Sequence, residues 1–276
     1  MNHFVEVNNT KLYYECKGEG EPLLLVHGLP IDSRMWDSQF EELALHYKVI
    51  RFDLAGYGMS GVHNEDCSYL EDIRVLLDQL GIPKTSILGC SVGGKLAIDF
   101  YLQYPERVDS LVLVSSGLNG WTKISAEKEE FDKVFTPYFQ SFDKENISKL
   151  LTKAWVAGPF RQIDEISEEV SVLFAKMIDN SLSKERGTGR FHFPSYVAID
   201  YLNKIDIPTL IITSEFDFPE YIEIANYLNS QIKHSKLISF QGAGHMLNME
   251  KPKEFTEAVL NFLNSKTVQN EQEMTN

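Results

Sequence analysis

Hydrophobic and polar residues alternate over positions 4–7 and again over 11–16, with Asn8 and Asn9 between them. Period-two alternation on either side of a turn dipeptide predicts a β-hairpin. From Leu23 onward the pattern changes to short, nearly continuous apolar runs at 23–26, 49–52, 85–88, 110–114, 209–213 and 236–240. Runs of that length suit strands covered on both faces. Between them lie stretches with apolar residues at helical spacing: 36–46, 69–80 (ended by Gly81-Ile82-Pro83), 95–104 (stopped before Pro105) and 256–263. Strands alternating with helices of this length predict an α/β fold with a doubly wound, mostly parallel sheet.

The alternation breaks after residue 114. Residues 119–203 hold helical stretches at 127–141, 147–156 and 163–182 with no apolar strand-like run among them. The expected organisation is therefore a core of residues 1–118 and 204–265, a helical lid at 119–203, and a polar tail at 266–276. The lid carries Trp121, Phe135, Tyr138, Phe139, Trp155, Phe160, Phe174, Phe191 and Phe193. Most of these are expected to pack the lid against the core, and the remainder to line an apolar pocket.

Composition narrows the function. With 276 residues, 43% hydrophobic and 24% charged, the chain can bury one substantial core. A net charge of −14 and the absence of any dense basic run argue against nucleic acid and anionic membrane surfaces as partners. No apolar stretch reaches bilayer length, and the first ten residues lack a basic segment followed by an apolar one, so a cytoplasmic location is expected. Cys16, Cys67 and Cys90 fit neither a disulfide framework nor a CxxC site. The seven histidines show no metal-ligand spacing, so neither metal nor cofactor is expected.

The chemistry gathers just beyond the strands. Gly89-Cys90-Ser91-Val92-Gly93-Gly94 follows one apolar run directly and precedes a helix. Small residues around a serine at a strand-to-helix turn let the two elements pass closely while the hydroxyl points outward. Taken in order, HGLP after residue 26, DLAGYGMS after 52, GCSVGG after 88, SEFD after 213 and GAGH after 240 resemble the successive landmarks of the alpha/beta-hydrolase family. The resemblance spans Leu23 to about Phe262, and its first half is most similar to the serine-nucleophile esterase and enol-lactonase branch. It implies an α/β-hydrolase fold with an inserted helical lid.

It also implies a division of labour. Ser91 would be the nucleophile and His245 the base that takes its proton, since a serine hydroxyl is weak until a neutral imidazole activates it. Asp217 would orient His245, with Glu215 a near competitor in the same loop. The backbone N–H groups of Leu29 and Val92 would form the oxyanion hole. His27 would support that loop through hydrogen bonds, Asp53 would hold its own turn, and Cys90 would be a buried spacer.

The implied activity is cleavage of a small ester, thioester or lactone with a largely apolar acyl group, through an acyl-enzyme. Carbon–carbon bond hydrolysis and perhydrolysis on the same triad stay open, as does a slow-turnover ligand receptor. Gly89–Lys95 also matches most of a nucleotide-binding P-loop. There, however, Leu96 stands where a magnesium-binding hydroxyl is needed.

Overall fold

The computed structural model describes the backbone of residues 3–274 and the side chains of residues 3–265. Eight strands form one sheet: β1 (Phe4–Val7), β2 (Thr10–Lys17), β3 (Pro22–Val26), β4 (Lys48–Phe52), β5 (Thr85–Cys90), β6 (Val108–Val114), β7 (Thr209–Ser214) and β8 (Ser235–Phe240). Their spatial order is β1-β2-β4-β3-β5-β6-β7-β8. The β1–β2 and β2–β4 pairings are antiparallel and all the others are parallel. The first hairpin turns at Asn8 and Asn9, both at positive φ (45° and 65°), a conformation asparagine tolerates better than most residues.

Successive residues of the central strands go to opposite cores, which is why those strands read as continuous apolar runs. Leu24, Val26, Ile87, Leu111 and Leu113 share one cluster, and Leu23, Leu25, Leu88, Val112 and Val114 the other. Helices cover both faces: α1 (Asp37–Leu43), α2 (Tyr69–Gln79), α3 (Val92–Gln103), α7 (Pro219–Gln231), α8 (Leu247–Glu250) and α9 (Pro252–Met274), with three more between β6 and β7. The first helix is shorter than the expected 36–46: Trp36 belongs to a 3-10 turn over Ser33–Trp36, capped by Asp32, and the helix ends at Leu43 with Ala44 as its C-cap. The closing helix is longer than expected. Its backbone starts at Pro252 and continues to Met274, so it covers most of the segment expected to be a polar tail, whose side chains lie outside the described residues.

Residues 119–203 contribute no strand to the sheet. They hold α4 (Ala126–Ser141), α5 (Lys144–Thr152) running into a π-turn over Lys153–Ala157, and α6 (Glu168–Ser183). The single helix expected at 163–182 is divided, because Ile166 is extended and α6 starts afresh after Ser167 with Glu168 and Glu169 in its first turn. α6 buries Val170, Phe174, Met177 and Ile178 on one stripe, whereas no residue of α4 is fully buried. After α6 the chain is fastened to the loop beyond β4. Lys184 Nζ donates to the Gly58 and Ser60 carbonyls at 2.7 and 2.6 Å, and backbone bonds join Gly189 to His63 and Cys67 to Arg190 and His192.

One buried charge stands out. Asp99 on α3 is 1% exposed, and neither carboxylate oxygen makes a well-formed hydrogen bond. Burial pushes its carboxyl up to about 6, with Lys95 and the Asn119 amide pulling the other way. The unfolded chain releases this proton near 3.8, so between that pH and about 6 the folded state binds the extra proton. Stability therefore falls as pH rises through this window and levels off above it. Asp99→Asn is expected to remove that slope. In urea melts, the stability difference between variant and wild type should shift by on the order of 2 kcal/mol from pH 4 to pH 7.

Candidate active site

Ser91 alone makes the turn between β5 and α3, with φ 55° and ψ −116°. A non-glycine residue in that region is strained and is held there by its surroundings. Here the Ser91 N–H donates to the Val114 carbonyl at 2.9 Å, and the Ser91 carbonyl accepts from Lys95 and Gly117 at 3.1 and 3.0 Å. The flanking glycines are needed for close approach. A Cβ on Gly89 would lie 2.3 Å from the Gly93 carbonyl oxygen, and one on Gly93 would lie 2.2 Å from that of Val26.

His245 and Asp217 arrive on the loops that follow β8 and β7. The two strands end in register at Ser214 and Phe240, and the Ser214 hydroxyl donates to the Gly244 carbonyl at 2.7 Å. His245 Nδ1 lies 2.8 and 2.9 Å from the two carboxylate oxygens of Asp217, with both side chains buried. An ionised carboxylate only accepts, so Nδ1 carries the proton and Nε2 is left with a free lone pair. Asp217 is further fixed by the Phe218 N–H at 2.8 Å. Glu215 turns elsewhere and accepts the Gly242 N–H at 2.8 Å.

Two aromatic rings, in contact with each other, pack against the imidazole. Trp155, from the π-turn after α5, has its ring centroid 4.7 Å from that of His245, and Tyr221, on α7, lies at 4.5 Å. Tyr221 also meets the Ser91 side chain, and burial, reinforced by the charges of Asp217 and Glu220, raises its phenol well above the usual range. The loop carrying His245 is also clamped by an ion pair. Glu250 accepts the Gly244 N–H at 2.7 Å and is paired with the buried Arg161, whose remaining donors go to the carbonyls of Val156, Ala157 and Gly242. Tyr221 and the Arg161–Glu250 pair escape a reading of the sequence, since nothing local distinguishes them from other surface-patterned residues.

The loop after β3 passes against the serine. A Cβ on Gly28 would lie 3.2 Å from the Ser91 Cβ. Neither the Leu29 nor the Val92 N–H has an acceptor among the described residues, and Val92 opens α3, where the first N–H groups have no intrahelical partner. His27 is fully buried, and that burial lowers its pKa despite Asp53 nearby. It accepts the Leu54 N–H on Nε2 at 2.9 Å and donates from Nδ1 to the Gly28 carbonyl at 2.8 Å, bracing the loop. Asp53 accepts the N–H groups of Ser33 and Met59 at 2.8 and 2.7 Å. Cys90 is fully buried, and burial pushes its thiol far up.

A cavity of about 580 Å³ opens from Leu29 and Trp155 and runs beneath α4, where Phe131, Phe135 and Phe139 line it. Of the nine aromatics noted in residues 119–203, Phe135, Phe139, Trp155 and Phe191 line this cavity and Phe174 packs in the core, whereas Phe160 and Phe193 are exposed. Among the described residues no group of three or more His, Cys, Asp or Glu side chains is arranged to hold a metal ion, and no helix is long and apolar enough to cross a membrane.

Sheet order, turn and loops together define a hydrolase architecture, and comparison with known proteins places it. Residues 21–252 match the alpha/beta hydrolase fold family, and the chain belongs to it. Among curated proteins it is 26% identical to the pimeloyl-(acyl-carrier protein) methyl ester esterase of Aliivibrio fischeri, over 92% of this chain and 98% of that one. It is also 26% identical to the 2-hydroxy-6-oxononadienedioate/2-hydroxy-6-oxononatrienedioate hydrolase of Klebsiella pneumoniae, over 90% and 89% of the two chains. Among solved structures, a thermophilic esterase from Thermogutta terrifontis superposes with a TM-score of 0.76 at 25% identity, covering 96% of this chain and 97% of that one. The protein is a hydrolase of this family.

Proposed function

We propose that the protein is a serine hydrolase that cleaves a small ester, thioester or lactone through an acyl-enzyme. The observation that carries this reading is the buried His245–Asp217 pair together with a serine held on a strained turn, with Tyr221 meeting both His245 and Ser91. Ser91 Oγ attacks the substrate carbonyl while His245 Nε2 takes its proton, and Asp217 stabilises the imidazolium. The negative charge that develops on the carbonyl oxygen is met by the unpaired N–H groups of Leu29 and Val92. Collapse expels the alcohol, thiol or ring oxygen, which receives the proton back from His245. Water then repeats the sequence on the acyl-serine and restores the hydroxyl. Residues 119–203 act as a lid over the core formed by 1–118 and 204–265, with the aromatic cavity holding the acyl group.

A second reading, carbon–carbon bond hydrolysis of a dienoic acid, draws support from the Klebsiella pneumoniae relative. One measurement separates the two: steady-state turnover of short esters, thioesters, lactones and dienoic acids with no added metal. Short acyl esters and lactones are expected to be turned over best, with activity intact in EDTA because Ser91 and His245 supply nucleophile and base. Dienoic-acid cleavage with negligible ester turnover would favour the second reading. Thermal stabilisation by these compounds without turnover of any would mark a ligand receptor.

A further inference from the structure

Six of the seven arginines are ion-paired: Arg34 with Asp32, Arg51 with Glu15 and Asp37, Arg74 with Glu71 and Asp78, Arg107 with Asp78, Arg161 with Glu250, and Arg190 with Asp66. Exposure does not prevent pairing, since Arg190 is paired although its side chain is 82% exposed. Arg186 is the exception. No carboxylate among the described residues meets it, its guanidinium lies 5.7 Å over the ring of Phe142, and both residues line the cavity that opens at Leu29.

The cavity wall between Leu29 and Arg186 is suited to an elongated guest. Tyr57 stands on it, with its ring edge-on to His27 at 6.0 Å on one side and its hydroxyl close enough to feel the Arg186 charge on the other. That hydroxyl makes no hydrogen bond among the described residues. Lys128 on the wall is neutralised by Asp132. Lys184, Arg186 and Glu185 remain without ion pairs, which leaves the wall with one cation in excess.

We propose that Arg186 docks an anionic far end of the acyl group, so that the preferred substrates are monoesters or lactones derived from dicarboxylic acids. The reacting carbonyl sits at Leu29 and Val92, the apolar methylenes lie along the phenylalanine row, and the free carboxylate takes the guanidinium, with the Tyr57 hydroxyl as a further donor. Planar guanidinium recognises a carboxylate through two parallel hydrogen bonds, which lysine cannot reproduce. The proposal rests on the ester-hydrolase reading.

The test compares monoethyl adipate with diethyl adipate, which share a chain and differ in one charge. Wild-type kcat/KM is expected to favour the monoester by about tenfold, mainly through KM, and the preference should shrink in high salt. Arg186→Gln should bring the ratio near one, and Arg186→Lys should restore part of it. Adipate should inhibit competitively and adipamide should not. A ratio near one in the wild type, or a ratio unchanged in Arg186→Gln, overturns the proposal while leaving the esterase standing. Loss of turnover on both esters in protein that also fails to react with a fluorophosphonate at Ser91 takes down the hydrolase reading. Reaction at Ser91 without turnover of either adipate ester rejects this substrate class alone.

Discussion

Replacing Ser91 by alanine is expected to lower hydrolysis of a good short ester by on the order of ten-thousandfold, with little change in stability. The hydroxyl is the only atom lost, and the backbone strain at φ 55° is borne equally by alanine. What survives is whatever the two free N–H groups and the cavity can do for a water molecule without a nucleophile. A fluorophosphonate should modify the wild type once, at Ser91, and should leave the variant untouched in peptide mass spectrometry. Modification of Cys90 instead would overturn the assignment, and the buried, unactivated thiol makes the opposite expectation definite.

The second large effect concerns the carboxylate. Asp217→Asn is expected to keep the fold and to reduce kcat by about a thousandfold or more, because an amide cannot stabilise the imidazolium and its N–H₂ group can hold the ring in the wrong tautomer. Glu215→Gln should stay within about threefold, since its carboxylate accepts the Gly242 N–H in an exposed hydrogen bond that an amide oxygen can also make. Matched kinetics on folded proteins decide between the two. A reversal of the order would move the acid to Glu215.

These two assignments differ in how far the sequence could carry them. Ser91 is legible because its requirements are local: small residues at fixed offsets, an apolar strand before and a helix after. Asp217 and Glu215 are two residues apart in one loop, and which of them faces His245 depends on how the ends of β7 and β8 align, a long-range fact. The strands were legible for the same reason as Ser91, since burial on both faces writes an apolar run. Helices in residues 119–203 were less so. The break at Ile166 is set by the start of α6 rather than by a loss of periodicity, and α7 escapes the hydropathy pattern altogether. Arg186 could not be singled out in advance. Its distinction is the absence of a partner, and partners such as Asp66 for Arg190 lie 124 residues away in the chain.

The helical insertion is fastened unevenly. It is held at Arg161 by the buried pair with Glu250, and again over residues 184–192 by side-chain and backbone bonds to the loop beyond β4. Moving either place would leave buried charges or carbonyls without partners. Between these anchors and β6 lies α4, with no fully buried residue, whose Phe131, Phe135 and Phe139 stack in a row along the cavity with centroids 5.2 and 5.6 Å apart. Displacing α4 carries this row with it, parts Phe131 from Trp155 and Phe218 and opens the Ser125–Glu220 hydrogen bond, but moves no fully buried residue of the helix, so it costs less than releasing either anchor. On the proposed reading, the doorway would be built from the same aromatic row that would hold the acyl chain. Any change that tightened this hold would then also slow departure of the product acid.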